Sequence, residues 1–529
     1  MAKISLKHPL LGSVTGVGAN KGVVEYLGIP YATLQHPFAA SEIKTRYEGA
    51  IDATEFGPTV IAPPLGCDIE FGLIQQPLEK PQIIPPVSDL DGLNLNITVP
   101  EGEHRLLPVL VFVHGGGFLF GGNWAPHYDL GPIVAHAASI GRPIIGVAIN
   151  YRLGAPGFLD SEELRANGLP RNRGLLDQKI AFQWLAKYIA GFGGDPKNLT
   201  AFGQSAGGSS VMHLLDLETP KPLFQRLACL SGNKIAAALV PASVAQGAYF
   251  DALEALGINP GMPASDQVAA LASKTGKDIL SDMPMTIPFG PVVDDEVVPT
   301  LETAKSGPPP KLQVPLFIGS TDFDGVVYSI LGIFAGRKEK TLGQDFATAF
   351  VQALPVTKAE AARALLTLYG LPHAVASDAD AEIRILQFGT DIKYFTASTA
   401  FAASWPVESW LYYFMEPNPW EGPHKGRATH VQDVAYAFLN FEHLMNEDQI
   451  RVARGFASDV IKFAHGEKPW PEFRSEGKMR VYGDSGKDSD AVRSLGHGDA
   501  GPSAEVRALW KEIGNDNLST AWDTYFLRK

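Results

Sequence analysis

The chain has 529 residues, 45% of them hydrophobic and 19% charged, the balance of a folded globular protein rather than a disordered one. Its 44 Lys and Arg against 57 Asp and Glu give a formal net charge of −13, which disfavours nucleic acid or an anionic membrane surface as a partner. The longest apolar runs, such as 106–113, reach about eight residues, far short of a membrane span.

In chain order, short β-branched apolar runs each end in a Gly-rich or polar break. Residues 108–113 run into His114-Gly115-Gly116-Gly117, and 143–149 into Asn150-Tyr151-Arg152-Leu153-Gly154. Residues 198–202 run into Gly203-Gln204-Ser205-Ala206-Gly207, and 315–318 into Gly319-Ser320-Thr321-Asp322. Residues 410–414 precede a long loop to His430. These runs read as buried strands of one sheet. Between them, Leu175, Leu176, Ile180, Trp184, Leu185 and Tyr188 fall at helical spacings, so a helix is expected over 175–189. The alternation predicts an α/β class with a large, mostly parallel central sheet and helices on both faces. Ligands on such sheets sit at the carboxyl ends of the strands, where the Gly-rich breaks fall.

Residues 233–285 and 335–400 are Ala-rich and helical in pattern, and are expected to form excursions over a pocket. The segment Ser306-Gly-Pro-Pro-Pro-Lys311 reads as a surface loop, since its prolines cannot donate to a ladder. It is too short for a domain linker, and no internal repeat is present, so residues 1–529 are expected to form a single domain. The first residues, MAKISLKHPL, hold no apolar stretch of the secretory kind. Cys67 and Cys229 alone make no disulfide framework, so a reduced, cytoplasmic setting is expected.

Two glycine-bearing segments point to acyl-transfer chemistry. Gly203-Gln204-Ser205-Ala206-Gly207 has the form G-x-S-x-G between a predicted strand and a helix-like stretch, the context that holds a nucleophilic serine on a sharp turn. His114-Gly115-Gly116-Gly117-Phe118 follows another strand. Glycines let backbone N–H groups approach a developing oxyanion closely, which stabilises the transition state. A serine hydroxyl needs a base, and histidine titrates near neutrality. Of the 13 histidines, His430 fits best, on a loop late in the chain; His424 competes by position alone. A carboxylate must orient the imidazole. Asp322 and Asp324 both follow the strand 315–318, between the serine and the histidine, and their spacing does not separate them. Phe118, Phe120, Trp124, Met283, Met285, Phe289, Phe323 and Tyr328 lie near these segments; each is more often core than pocket wall, and together they suggest an apolar site for a small-molecule ester.

Taken in order, these blocks resemble the type-B carboxylesterase and lipase family, from about Gly28-Ile-Pro-Tyr-Ala32 to about Trp470-Pro471. Matching blocks include Asn172-Arg-Gly-Leu-Leu-Asp-Gln178 and Phe192-Gly-Gly-Asp-Pro196. The resemblance implies an α/β-hydrolase fold, Ser205 as nucleophile, His430 as base and Asp324 as acid. It implies Gly116, Gly117 and Ala206 as oxyanion-hole amides, with no metal or organic cofactor. The family usually carries Glu where Asp324 stands, so the loop is expected to sit closer to His430. Arg152, Asp177 and Asp195 match family positions and read as structural. Gly92 stands where a family disulfide partner of Cys67 is usual. Gln204 replaces the Glu of cholinesterases, and the segment from Cys67 to Gly92 carries no Trp for cation–π contact, which argues against a choline ester. The implied activity is hydrolysis of a small or medium apolar ester through an acyl-enzyme. Acyl transfer or the processing of a metabolite on the same scaffold is the alternative, and a non-catalytic binding protein is disfavoured by the presence of both Ser205 and His430.

Overall fold

In the computed structural model the described residues are 2–19, 22–237, 239–294, 297–298, 313–337, 341–371, 377–483, 490–495 and 501–527. The proposed surface loop at 306–311 lies outside them. One large sheet organises the chain. Its strands are β1 (Ala2–His8), β2 (Gly12–Ala19), β3 (Val23–Pro30), β4 (Asn94–Pro100), β5 (Leu107–Val113), β6 (Ile145–Ile149), β7 (Gly194–Gln204), β8 (Arg226–Leu230), β9 (Leu316–Thr321), β10 (Ser409–Phe414), β11 (Lys478–Tyr482) and β12 (Asp490–Ser494). They lie in the order β1-β2-β3-β4-β6-β5-β7-β8-β9-β10-β11-β12, with the short segment Ile51–Asp52 paired to β2.

The sheet is parallel from β6 through β11 and antiparallel outside that block. The expectation of a mostly parallel sheet therefore holds for the centre, and the mixed ends were not anticipated. Their origin is local. β1 to β3 are joined by connections too short for a crossover, and such neighbours pair as hairpins. Gly12, at φ +78°, opens β2 directly after the first turn. The central strands β5, β6, β8, β9 and β10 are buried along almost their whole length. That burial on both faces explains their continuous apolar composition.

The helix Arg173–Tyr188 covers the predicted stretch and turns Leu175, Phe182, Trp184 and Leu185 into the core. The Ala-rich regions are helical as expected, with Ala242–Ala255, Ala264–Ala272 and Gly276–Asp282 in the first. The second holds Leu342–Gln352, Ala359–Leu368, Asp378–Gly389, the π-helical turn Thr390–Phe395 and Thr396–Ser404. Among the described residues no helix is long and apolar enough to cross a membrane.

Candidate active site

β7 ends at Gln204, and the helix Ala206–His213 starts two residues later. Ser205 between them takes φ +54° and ψ −124°, a backbone state costly for a residue with a Cβ. Ser205 N–H donates to Leu230 O at 2.9 Å, tying the turn to β8. The turn is this tight because Gly207 carries no side chain: a Cβ there would lie 2.0 Å from Val113 O at the end of β5. Ala206 N–H belongs to the first helical turn, whose amides have no intrahelical acceptor and are free to face the site.

Three distant side chains meet at this point. Ser205 Oγ lies 2.8 Å from His430 Nε2. His430 Nδ1 lies 2.7 Å from Asp324 Oδ1. Both His430 and Asp324 are buried. Asp324 opens a 3-10 turn just after β9, and its Oδ2 accepts the Thr321 N–H at 2.8 Å. One oxygen is thus fixed by backbone and the other is left for imidazole. With Nδ1–H donating to Asp324, the Nε2 lone pair faces the serine hydroxyl. Asp322 is turned elsewhere: Arg427 Nε donates to its Oδ2 at 3.2 Å and Tyr413 Oη to its Oδ1 at 3.2 Å. His424 is also apart from this group. Its backbone N–H donates to Gln75 Oε1 at 2.6 Å, and its ring faces Phe323 at 6.0 Å.

The glycine segment after β5 runs over the serine. A Cβ on Gly115 would lie 2.9 Å from Ser205 Cβ. Gly116 and Gly117 take φ +94° and +61°, and a Cβ on Gly116 would meet Phe120 O at 2.1 Å. The buried Gln204 side chain lies in the same place, with its Nε2–H aimed at His430 Nε2 over 3.3 Å.

A second buried carboxylate adjoins the histidine. Asp433 Oδ2 accepts from Ser231 Oγ and Tyr412 Oη at 2.7 Å each, and Oδ1 accepts Val434 N–H at 2.8 Å. Burial, reinforced by the nearby Asp324 charge, pushes Asp433 up to about 6. The Tyr394 ring stands edge-on to His430 at 5.6 Å. Sequence reasoning placed no role on Ser231, Tyr412 or Tyr394. Their only signal was position, Ser231 just past the end of β8 and Tyr412 within β10.

The aromatic candidates divide. Trp124 and Phe289 are half-buried against the core. Phe118 is buried edge-on to Phe158 at 4.9 Å. Tyr328 is buried against Trp522 at 4.9 Å and donates its hydroxyl to Ala236 O at 2.9 Å. Phe323 lies under the Arg427 guanidinium at 4.1 Å. Phe120 is buried, Met283 half-buried and Met285 exposed. Arg152 and Asp177 form a buried two-point pair at 2.8 and 2.7 Å, and Arg152 Nη1 also donates to Pro37 O and Ala39 O. Asp195 Oδ1 accepts Lys197 N–H within its own turn.

The fold is that of an α/β-hydrolase, and the relatives of the chain make it a carboxylesterase. The chain belongs to the carboxylesterase family, whose model matches residues 3–490. It is 28% identical to a para-nitrobenzyl esterase of Bacillus subtilis, over 90% of this chain and 94% of that protein. It is also 28% identical to a fumonisin B1 esterase of Sphingopyxis macrogoltabida, over 90% and 86% of the two chains. Against lipase 1 of Yarrowia lipolytica the identity is 26%, over 87% of each. A solved PNB esterase structure superposes with a TM-score of 0.70 at 25% identity, covering 96% of this chain and 99% of that one.

Proposed function

We propose that the chain hydrolyses a small or medium apolar carboxylic ester through an acyl-enzyme on Ser205, acting as one domain over residues 1–529. Ser205 Oγ attacks the ester carbonyl as His430 Nε2 takes its proton. Asp324 holds the imidazole in the right tautomer and offsets its charge. The N–H groups of Gly116, Gly117 and Ala206 donate to the oxyanion of the tetrahedral intermediate. His430 returns the proton to the departing alcohol, then takes one from the water that attacks the acyl-enzyme and passes it to Ser205 Oγ as the acid leaves.

The observation that carries the reading is the 2.8 Å approach of Ser205 Oγ to His430 Nε2, made from a strained turn beside the glycine segment. Such geometry has a cost that a merely structural serine does not justify. Trp124 and Phe289, both half-buried, are proposed to line the acyl or alcohol side, with Phe118, Phe323 and Tyr328 setting the shape behind them.

A reducing, cytoplasmic setting fits the two buried free thiols, Cys67 and Cys229. It also fits Gly92, where a Cβ would come within 2.7 Å of the Val60 backbone, leaving no room for a cysteine.

The test is a series of p-nitrophenyl esters of rising acyl length, with products analysed in water and with an added alcohol. Hydrolysis that peaks at a short or medium chain supports the reading. No turnover of any ester refutes it. Transfer to the alcohol in preference to water would replace the hydrolase assignment by an acyltransferase one.

A further inference from the structure

His430 sits at the end of the loop 415–429, while Asp324 is delivered from the neighbouring strand β9. The contact between them at 2.7 Å is one hydrogen bond across two loops, which by itself leaves a hinge. Backbone contacts cross the same gap: Phe323 N–H donates to Ala428 O at 2.8 Å, and Phe323 bridges to Thr429. Beside them stands a side chain that the proposed reaction does not use. Arg427 donates through Nε to Asp322 Oδ2 at 3.2 Å, lays its guanidinium 4.1 Å over the Phe323 ring, and donates through Nη2 to Gln387 Oε1 on the helix Asp378–Gly389.

Both partners of this cation are anchored in turn. Asp322 Oδ1 accepts from Tyr413 Oη of β10 at 3.2 Å, and Asp322 N–H donates to Phe414 O at 3.0 Å. Gln387 Nε2 donates to Asp322 O at 3.3 Å and to Asp391 Oδ1 at 3.2 Å. The guanidinium therefore joins the histidine's loop, the acid's loop and the adjoining helix through one rigid plane. A forked, stacked contact of this kind is specific to arginine; lysine offers a point charge and no plane.

We infer that Arg427, seated on Asp322 and Phe323, is a positioning residue that sets the approach of His430 to Asp324. The inference rests on the proposed assignment of Ser205, His430 and Asp324. Arg427 precedes His430 by three residues, and Asp322 precedes Asp324 by two. The outer ion pair is thus a further cross-link beside the His430–Asp324 contact and the Phe323–Ala428 backbone bond, and it is the one that ties side chains of both loops to the adjoining helix. Asp322, the sequence's alternative for the acid, has this different task. The side chains of Arg427 and Asp322 are about a third exposed, so the pair contributes little to global stability and its effect falls on geometry.

The experiment compares full-length wild type with Arg427→Ala, Arg427→Lys and Asp322→Asn, using p-nitrophenyl acetate turnover, fluorophosphonate labelling rate and thermal midpoint. Arg142→Ala, which breaks an exposed pair with Glu467, is the control. A misplacement of about 1 Å costs on the order of 100-fold, so kcat is expected to fall roughly 10- to 100-fold in Arg427→Ala. KM stays within about twofold, because the loss is in the transition state. The midpoint moves by less than about 3 °C. Arg427→Lys recovers only part of the rate, and Asp322→Asn shows the same pattern, which keeps the test open should Arg427→Ala fail to fold. Folded Arg427→Ala or Asp322→Asn with wild-type kcat overturns the inference, as does a rise in KM at unchanged kcat. Ser205→Ala run alongside separates the two claims. If it is inert while Arg427→Ala is fully active, only the positioning role fails; if it keeps its turnover, the underlying assignment fails as well.

Discussion

Asp324 Oδ1 and His430 Nδ1 lie 2.7 Å apart, although 106 residues of chain separate them. Parallel pairing of β9 with β10 accounts for the meeting, because it puts the carboxyl ends of both strands on one edge. Asp324 leaves β9 at once in a 3-10 turn, and the histidine's loop folds back onto that turn through Ala428 and Thr429.

The fit of this short acid predicts that the longer one is worse here. Asp324→Glu adds a methylene to a fully buried site whose second oxygen already accepts Thr321 N–H. Overpacking costs about 1–3 kcal/mol in such places, so kcat is expected to fall rather than rise. Asp324→Asn favours the wrong imidazole tautomer and is expected to lower kcat by about 10⁴-fold. Steady-state kinetics on folded variants decides both; equal rates for Asp324→Glu and wild type would contradict the packing argument.

Gln204→Glu tests the neutral amide beside the histidine. A carboxylate in place of the amide now 3.3 Å from His430 Nε2 would give the protonated imidazole a second counter-charge. Since the base acts only when deprotonated, the acid limb of kcat/KM is expected to move to higher pH, by about one unit or more. An unmoved limb in the pH–rate profile would mean that the new carboxyl is itself protonated or turned away.

Gly116→Ala addresses the glycine segment. Gly116 sits at φ +94°, and a Cβ would lie 2.1 Å from Phe120 O. The backbone must shift, and with it the proposed oxyanion donors. Losing one such donor costs about 10²–10³ in kcat. The expected outcome is a loss of that order with substrate affinity little changed, measured on whatever fraction folds. Wild-type kcat in this variant would remove the segment from the chemistry.

Asp391 offers a stability test. Burial, together with the Asp322 charge, pushes its carboxyl from 3.8 up to about 7, against the hydrogen bonds of Tyr369 and Gln387 and the Arg427 charge. The folded state therefore holds this proton over a pH range in which the unfolded chain has lost it. The contribution to stability is full below about pH 4 and is lost as pH rises through 7. Asp391→Asn, neutral throughout, is expected to flatten that part of the profile, so its thermal midpoint gains on wild type between pH 5 and 8. Parallel profiles for the two proteins would contradict this.

How much of this was legible in the sequence follows from how local each signal is. The turn at Ser205 and the segment at Gly115–Gly117 are legible because each is a run of contiguous residues, although the contacts that require Gly207 and Gly115 come from β5 and from Ser205. The central strands were legible for a similar reason: a strand buried on both faces is apolar at every position. Asp322 and Asp324 were not separable, since both follow the same strand. Their difference lies in a turn and in partners on β10 and the histidine's loop. Ser231, Tyr412 and Asp433 escaped because no spacing rule joins residues from three separate elements. β1 escaped because it is exposed along most of its length and so carries no buried apolar run.

The most direct measurement is Ser205→Ala beside wild type, with fluorophosphonate labelling read by peptide mass spectrometry and ester turnover read in parallel. The account predicts one phosphonylated peptide, carrying Ser205, in wild type, and neither label nor turnover in a variant that melts at the wild-type temperature. Turnover retained in the variant, or a label on another residue, would contradict it.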